Sequence, residues 1–136
     1  MRFRLSAAFV LALAGAISIS CGGIVDPSQN TVEPFNDTVQ PASARAFWFS
    51  ASKTGEIQVK LLTITPASTQ YLGVYWVQGN GDKTCNSSAL LQNNQFATAG
   101  TTAISGQIPS GNYCIIVYDS KGLTQPASFT ATVSHP

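Results

Sequence analysis

The run Gly111-Asn112-Tyr113-Cys114-Ile115-Ile116-Val117-Tyr118-Asp119 carries the strongest strand signal in the chain. Alternate side chains of a strand point to opposite faces of its sheet. Tyr113, Ile115 and Val117 therefore share one face, which we expect to lie in the core, and Cys114 lies on the other.

Other segments show the same two-residue alternation or a short apolar run between turn residues. They cover residues 45–52, 56–65, 71–78, 101–108 and 127–134, with a weakly patterned stretch at 86–100. No segment has the 3.6-residue period of a helix. This pattern predicts an all-β fold, an antiparallel β-sandwich of about seven or eight strands that resembles a jelly roll. A closed barrel is the structural alternative.

Local features refine the strand predictions. We expect residues 45–52 and 56–65 to form a hairpin, because the turn Lys53-Thr54-Gly55 separates them. The alternation breaks at Leu61-Leu62, which predicts a β-bulge. Residues 71–78 are apolar on both faces, which indicates a central strand, a strand under a loop or a binding surface.

Composition and charge exclude one class of partner. Charged residues make up 10% of the chain, well below the roughly 25% of typical soluble domains. The formal charge is +1, and there is no basic run of the kind that nucleic-acid binding requires. The sequence therefore predicts no nucleic-acid partner.

The N-terminus is predicted to be a lipoprotein signal peptide over residues 1–20. A short basic start precedes an apolar run from Leu5 to Ile19, which is short for a membrane span and typical of a secretory signal. The run ends at Ser20-Cys21-Gly22, which resembles a bacterial lipobox. The resemblance implies a lipid anchor at Cys21 and an exported, membrane-anchored protein, with Gly22 favouring the outer membrane. A secretory signal cleaved nearby is the alternative.

The remaining chain divides into a tether and one domain. Residues 21–43 are polar and contain three prolines, which predicts a flexible tether whose last part pairs weakly. Residues 44–136 form the predicted sandwich, and the chain of 136 residues is long enough for one domain.

Cys85 and Cys114 are predicted to form a disulfide. Assigning Cys21 to lipid leaves an even number of thiols, and exported compartments permit disulfides. A redox or metal pair is the alternative, but there is no Cys-x-x-Cys and no histidine nearby in sequence.

Catalytic and metal-binding groups are scarce, so the sequence predicts no enzyme, no cofactor and no metal. His135 is the single histidine, and we expect it on a frayed C-terminal tail, where it cannot serve a triad. The carboxylates are scattered and show no acid–base spacing. Asn80 and Asp82 resemble a fragment of a calcium loop, but a solvated turn is the expected reading.

Four aromatic residues are the candidates for a ligand-binding surface: Trp48, Tyr75, Trp76 and Tyr118. An exposed aromatic side chain can stack on a sugar or anchor a protein partner. The alternative is that Trp76 fills the core and Trp48 packs under a loop.

The patterns at Phe47–Phe49, 55–61, 110–119 and 129–133 together resemble the bacterial pre-peptidase C-terminal (PPC) domain. The likeness covers roughly residues 36–135. It implies a secreted, jelly-roll-like β-sandwich that is often appended to proteases and used for binding or targeting. Some members bind calcium, or collagen-like and polysaccharide substrates, but no calcium cluster of that family matches here residue by residue.

The function predicted from sequence is a lipid-anchored, non-catalytic binding or adhesion module of the bacterial cell envelope. Its ligand would be a glycan or an envelope protein. The alternative is a structural or envelope-assembly component that recognises a protein through a sheet edge. A carbohydrate-active hydrolase with a dispersed site is the least expected reading.

Overall fold

The computed structural model describes residues 26–136 of the chain. The predicted signal peptide and the predicted lipid anchor at Cys21 lie outside the described residues. Within 26–136, no helix is long and apolar enough to cross a membrane.

Eight strands make up the domain, after one short 3-10 turn at Pro27–Gln29. They are β1 (Thr31–Val39), β2 (Ala44–Ala51), β3 (Gly55–Thr65), β4 (Leu72–Gly79), β5 (Cys85–Ala97), β6 (Thr101–Ile108), β7 (Gly111–Tyr118) and β8 (Ala127–His135).

The strands form two four-stranded sheets, β1-β8-β3-β6 and β2-β7-β4-β5. All described pairings are antiparallel. The first strand pairs with the last, the second with the seventh, the third with the sixth and the fourth with the fifth. A long hairpin of four strand pairs rolled up in this way is a jelly roll. The predicted fold class is confirmed.

The core lies between the inner faces of the two sheets, and β7 contributes to its centre. Tyr113, Ile115 and Val117 are buried in the core cluster, as their alternation predicts. The Tyr113 hydroxyl donates to the carbonyl of Pro109 at 3.0 Å, so the phenol is satisfied although the ring is buried. Cys114 lies on the opposite face, where it reaches Cys85.

The predicted bulge is confirmed and the predicted hairpin is wrong. The pairing of β3 with β8 shifts register between Leu61 and Thr63. However, β2 pairs with β7 and β3 pairs with β6 and β8, so the two consecutive strands lie in different sheets. Each has one apolar face, and the two faces meet across the core instead of side by side.

The structure differs from the tether prediction over Thr31–Val39, which form β1 and pair with β8 along its length. Phe35 and Val39 are buried. The ring centroid of Phe35 lies 5.0 Å from that of Phe47 and 5.2 Å from that of Phe129. Two apolar side chains among polar ones are enough to dock an edge strand, and the ordered domain therefore begins well before residue 44.

The weakly patterned stretch is the longest strand, β5, with 13 residues. Its pairing with β4 shifts register between Leu72 and Val74, and again on each side of Val77. Because each bulge reverses the in–out alternation, the apolar residues of β5 do not follow a period of two. This is why the sequence pattern was weak there.

Candidate functional site

The four aromatic residues predicted to bind a ligand separate into two groups. Trp48 on β2, Tyr75 on β4 and Tyr118 on β7 lie on the outer face of their sheet. Their positions alternate along each strand with those of the buried core residues. Trp76 lies on the inner face, is 7% exposed and packs 5.8 Å from Tyr113. Trp76 is therefore a core residue and does not belong to an exposed surface.

Tyr75 and Tyr118 form a stacked pair on the outer face. Their ring centroids are 4.2 Å apart and their planes are within 7° of parallel. The Tyr118 ring lies against Gly73, where an added Cβ would come within 2.2 Å of it. The Tyr118 hydroxyl donates to Asn93 Oδ1 of β5 at 3.0 Å. The pair therefore joins β7, β4 and β5 across their outer face.

The chemistry of Tyr118 is that of a neutral phenol. Burial raises its pKa, and the hydrogen bond and charge of Tyr75 raise it further, against a smaller lowering by Asn93, to about 12. The hydroxyl therefore stays protonated at ordinary pH. It can donate a hydrogen bond, but it is not poised to act as a general base.

Trp48 holds the loop between β4 and β5. Its indole N–H donates to the carbonyl of Asn80 at 2.9 Å, and its ring lies against Gly79, where an added Cβ would be 3.0 Å away. The ammonium of Lys83 is 5.7 Å from the ring centroid. These contacts account for Trp48 as a packing residue, which is the alternative that the sequence left open.

The Cys85–Cys114 disulfide is confirmed, with the two Cα atoms 5.8 Å apart. It links the start of β5 to the middle of β7 on the outer face of the sheet. Cys114 lies opposite Trp48 on one side and Val77 on the other. The disulfide therefore fixes Cys85, the first residue of β5, to β7.

The feature that sequence reasoning missed is the edge of β5. Strand β5 is the last of its sheet, and among residues 26–136 no further strand pairs with its outer side. It exposes Leu90, Leu91 and Phe96, at 51%, 48% and 56%. The signal was present in the sequence, because no charged residue occurs between Lys83 and Asp119. Strands β5, β6 and β7 are therefore uncharged throughout.

The two lateral sides of the sandwich differ in chemistry. On one side, β1 and β2 end their sheets, and β1 carries Pro34 together with Glu33 and Asp37. Asp37 Oδ1 accepts from Arg45 Nε of β2 at 3.3 Å. On the other side, β5 and β6 end their sheets without a charge or a proline. Proline and charge on an edge strand discourage pairing with another strand, so only one side is protected in this way.

His135 is placed differently from the prediction. It closes β8, is 4% exposed, and packs 4.7 Å from the Phe49 ring. Its Nε2 lies 2.8 Å from Glu33 Oε1 of β1. The expectation of a frayed tail is wrong, because this contact and the β1 pairing hold the last strand to its end. The imidazole links two strands and lies away from the β5 edge.

Metal-binding clusters and surface depressions are two further kinds of candidate site. No three His, Cys, Asp or Glu side chains of residues 26–136 come close enough to hold a metal ion. The surface of the described residues has open depressions. One of about 260 Å³ lies beside Tyr71, Asp119 and Lys121, and one of about 460 Å³ lies between Asn30, Gln58 and neighbouring polar residues. Neither includes any of the four candidate aromatics.

Comparison with known proteins adds little. No family model matches the chain, and no curated protein matches it in sequence. One similar solved structure comes from Bacillus endospore appendages, which form a family of disulfide-linked pili. It is 10% identical, with 83% of this chain and 95% of that chain covered and a TM-score of 0.36. At that score the likeness carries no conclusion. The assignment to the PPC family stays a prediction, whereas the β-sandwich itself is confirmed.

Proposed function

We propose that this protein is a non-catalytic binding module of the bacterial cell envelope that recognises a protein partner through the edge of β5. The partner would supply an extended segment that adds a strand beside β5, with backbone hydrogen bonds giving affinity and side-chain contacts giving specificity. The observation that carries the proposal is the difference between the protected side, β1 and β2, and the uncharged side, β5 and β6.

The chemistry of β5 supports a role in pairing. The strand has 13 residues and contains no proline, glycine or charge. Unpaired N–H and C=O groups along such a strand are a template for another chain. The bulges of β5 interrupt this template on each side of residues 92–94, where the strand pairs in step with β4. A partner that covered the exposed Leu90, Leu91 and Phe96 would remove apolar surface from water, which would stabilise the complex.

The edge is held in place before any partner arrives. The Cys85–Cys114 disulfide fixes the start of β5. Further along, Asn93 accepts from the Tyr118 hydroxyl, and the carbonyl of Gln95 accepts from the Ser120 hydroxyl at 2.8 Å. A preorganised strand loses less conformational entropy on binding, which favours affinity.

The glycan ligand remains the alternative, and the outer-face aromatics are its basis. The stacked Tyr75–Tyr118 pair leaves fewer ring faces for a sugar, and Trp48 is engaged with Asn80. These contacts favour the protein partner over the glycan.

Membrane anchoring through Cys21 is part of the proposal and rests on the lipobox-like sequence. Two or three acyl chains would anchor the protein stably, where one chain is marginal. We expect the exported protein to incorporate labelled palmitate, and Cys21→Ser to release it from membranes. Retention of the Cys21→Ser protein in the membrane fraction would contradict the anchor.

The binding proposal is tested by site-specific photocrosslinking in producing cells. A photoreactive residue at Leu91 of β5 is expected to give a discrete protein adduct, and one at Val32 of β1, which is 60% exposed, is expected to give none. Adding Leu90→Lys should remove the Leu91 adduct, whereas adding Leu62→Lys on β3 should not. No adduct at Leu91, or equal adducts at both positions, would contradict the proposal.

A further inference from the structure

We propose that the partner of β5 is β5 of a second copy of this chain, paired antiparallel about a two-fold axis at Asn93. This inference rests on the proposed function and names its partner. In a symmetric dimer the same patch must fit itself, and β5 satisfies that condition in its register, its residue types and its charge.

Between Leu90 and Ala97 the register of β5 is balanced around Asn93. Residues 92–94 of β5 pair one-to-one with residues 74–76 of β4. One extra residue of β5 lies between Leu90 and Gln92, and another lies between Asn94 and Ala97. A third and larger irregularity, with three extra residues of β5 between Asn86 and Leu90, lies outside this segment. A bulge bends an edge strand and spoils pairing with a regular partner. Because the two bulges flank Asn93, a second β5 running in the opposite direction brings its own bulges to the same places.

The residues brought together are chemically compatible. With Asn93 opposite itself, Gln92 lies opposite Asn94 of the second copy, and Leu90 lies opposite Phe96 of the second copy. The amide of Gln92 can donate and accept in such a pair, whereas the amide of Asn94 already donates to the carbonyl of Ala103 and accepts from the N–H of Phe96 within its own copy. Aliphatic–aromatic cross-strand pairs stabilise sheets. The two exposed leucines and the exposed phenylalanine of each β5 are thereby partly covered.

Charge is consistent with a second copy as partner. A strand that carries net charge repels its own copy, because like charges directly opposite each other are destabilising. Neither β5 nor β6 has a charged residue. The two sandwiches can therefore lie side by side at the edges of both sheets without like-charge contact between these strands.

The proposed dimer joins the two sheets β2-β7-β4-β5 into one continuous eight-stranded sheet. The Tyr118 hydroxyl, which bonds Asn93, then lies near the two-fold axis in both copies. The protected sides, β1 and β2, face outward at both ends, so pairing stops at two copies instead of continuing into a fibre.

Cysteine substitution tests the register directly. In the exported chain carrying Cys21→Ser, Asn93→Cys places two thiols opposite each other across the axis. Opposite Cα atoms of antiparallel strands are roughly 4.5–5.5 Å apart, which suits a disulfide. We expect Asn93→Cys to form a covalent dimer on mild oxidation, seen on non-reducing gels and by sedimentation.

Two further variants make the test specific to this axis. Leu91→Cys and Gln95→Cys should not crosslink alone, because their own copies lie about 13 Å out of register. A mixture of the two should crosslink. Leu90→Lys should weaken the noncovalent dimer by roughly tenfold or more, about 1.4 kcal/mol. Leu62→Lys should leave it unchanged, since Leu62 is similarly exposed but lies on β3.

The outcomes separate this inference from the proposed function. A chain that sediments as a monomer at high concentration, with Asn93→Cys crosslinking no better than Leu91→Cys, overturns self-pairing. If Leu91 then still gives an adduct with a different protein in cells, the edge proposal stands without the dimer. If neither crosslink forms, both fail.

Discussion

Gly73 lies under the ring of Tyr118, and this contact sets the packing of the outer face of the sheet. Any side chain at this position would occupy the space of the ring, since an added Cβ would lie 2.2 Å from two of its carbons. Displacing the ring would also break the stack on Tyr75 and the hydrogen bond to Asn93. The absence of a Cβ at Gly73 therefore allows Tyr118 of β7 to reach Asn93 of the edge strand β5.

Gly73→Ala is expected to destabilise the protein by about 1–3 kcal/mol, the usual cost of overpacking a well-packed site. Gly81→Ala is the control, because a Cβ there meets nothing within 4 Å, and we expect its effect to be within about 0.5 kcal/mol. Urea unfolding of the two variants measures the difference. Equal stabilities would mean that the Tyr118 ring is free to move aside.

Asp119 organises the turn after β7. Its carboxylate accepts from the backbone N–H groups of Ala42, Lys121, Gly122 and Leu123. Partial burial raises the pKa of the carboxyl, but these hydrogen bonds outweigh it and hold the pKa below the ordinary value of an aspartate. The residue that looked like a turn residue in the sequence is therefore a cap for two loops.

The stability that Asp119 contributes should depend on pH. Since its pKa is lower in the folded state, the contribution is complete above the unfolded pKa of about 3.9 and is lost as the pH falls through the lowered folded value. We expect Asp119→Asn to cost about 1–3 kcal/mol at pH 7 and progressively less below pH 4. Denaturant unfolding at several pH values checks this, and a cost that stays constant down to pH 2 would contradict it.

Among the elements, β1 shows how a segment that reads as a linker becomes part of the fold. Its order depends on two buried side chains, Phe35 and Val39, and on the contact of Glu33 with His135. Alternation of apolar residues predicted the strands whose inner face is fully apolar, such as β7. It could not predict β1, where three of the residues between Thr31 and Val39 are proline or acidic.

Phe35→Ala is expected to cost about 3–5 kcal/mol, as for other large-to-small changes in a core. Val32→Ala in the same strand should change stability by less than about 0.5 kcal/mol, because Val32 is exposed. Thermal or denaturant unfolding distinguishes the two. A neutral Phe35→Ala would restore the view of residues 31–39 as a tether.

The disulfide between Cys85 and Cys114 also links strands of the second sheet. It joins two residues that are 29 positions apart in sequence, and for a loop of this size chain entropy predicts a stabilisation of about 3–4 kcal/mol. The double variant Cys85→Ala, Cys114→Ala should lose that amount in urea unfolding, and reductant should bring the wild type to the same value without affecting the variant. A variant as stable as the wild type would argue against the linkage in solution.

At the scale of these elements, the sequence predicted strand existence better than strand partners. The bulge at Leu61, the inner face of β7 and the disulfide follow from local pattern and cysteine count. The separation of β2 from β3 into different sheets does not, because each needs only one apolar face whichever neighbour it has. Trp76 and Trp48 illustrate the same limit, since alternation alone did not say which face of an apolar strand lies inside.

Over the whole molecule, the jelly roll places all of its described edge charges on one lateral side. The chain winds so that β1 and β2 end the two sheets on one side and β5 and β6 end them on the other. The charge-free stretch between Lys83 and Asp119 therefore supplies both edge strands of the second side, where Lys121 of the loop after β7 places its ammonium 4.2 Å from the Phe96 ring centroid. The sequence contained this absence of charge, but only the topology shows that two of its strands are edges.

The central claim is that the backbone of β5 becomes hydrogen-bonded to another chain, and amide hydrogen exchange measures this directly. Exchange of the chain in envelope preparations of producing cells is compared with exchange of the purified chain at low concentration. We predict slower exchange in the envelope for amides of residues 89–95, with no change for residues 31–39 of β1. Unchanged exchange at 89–95, or protection that appears at β1 instead, would contradict the account.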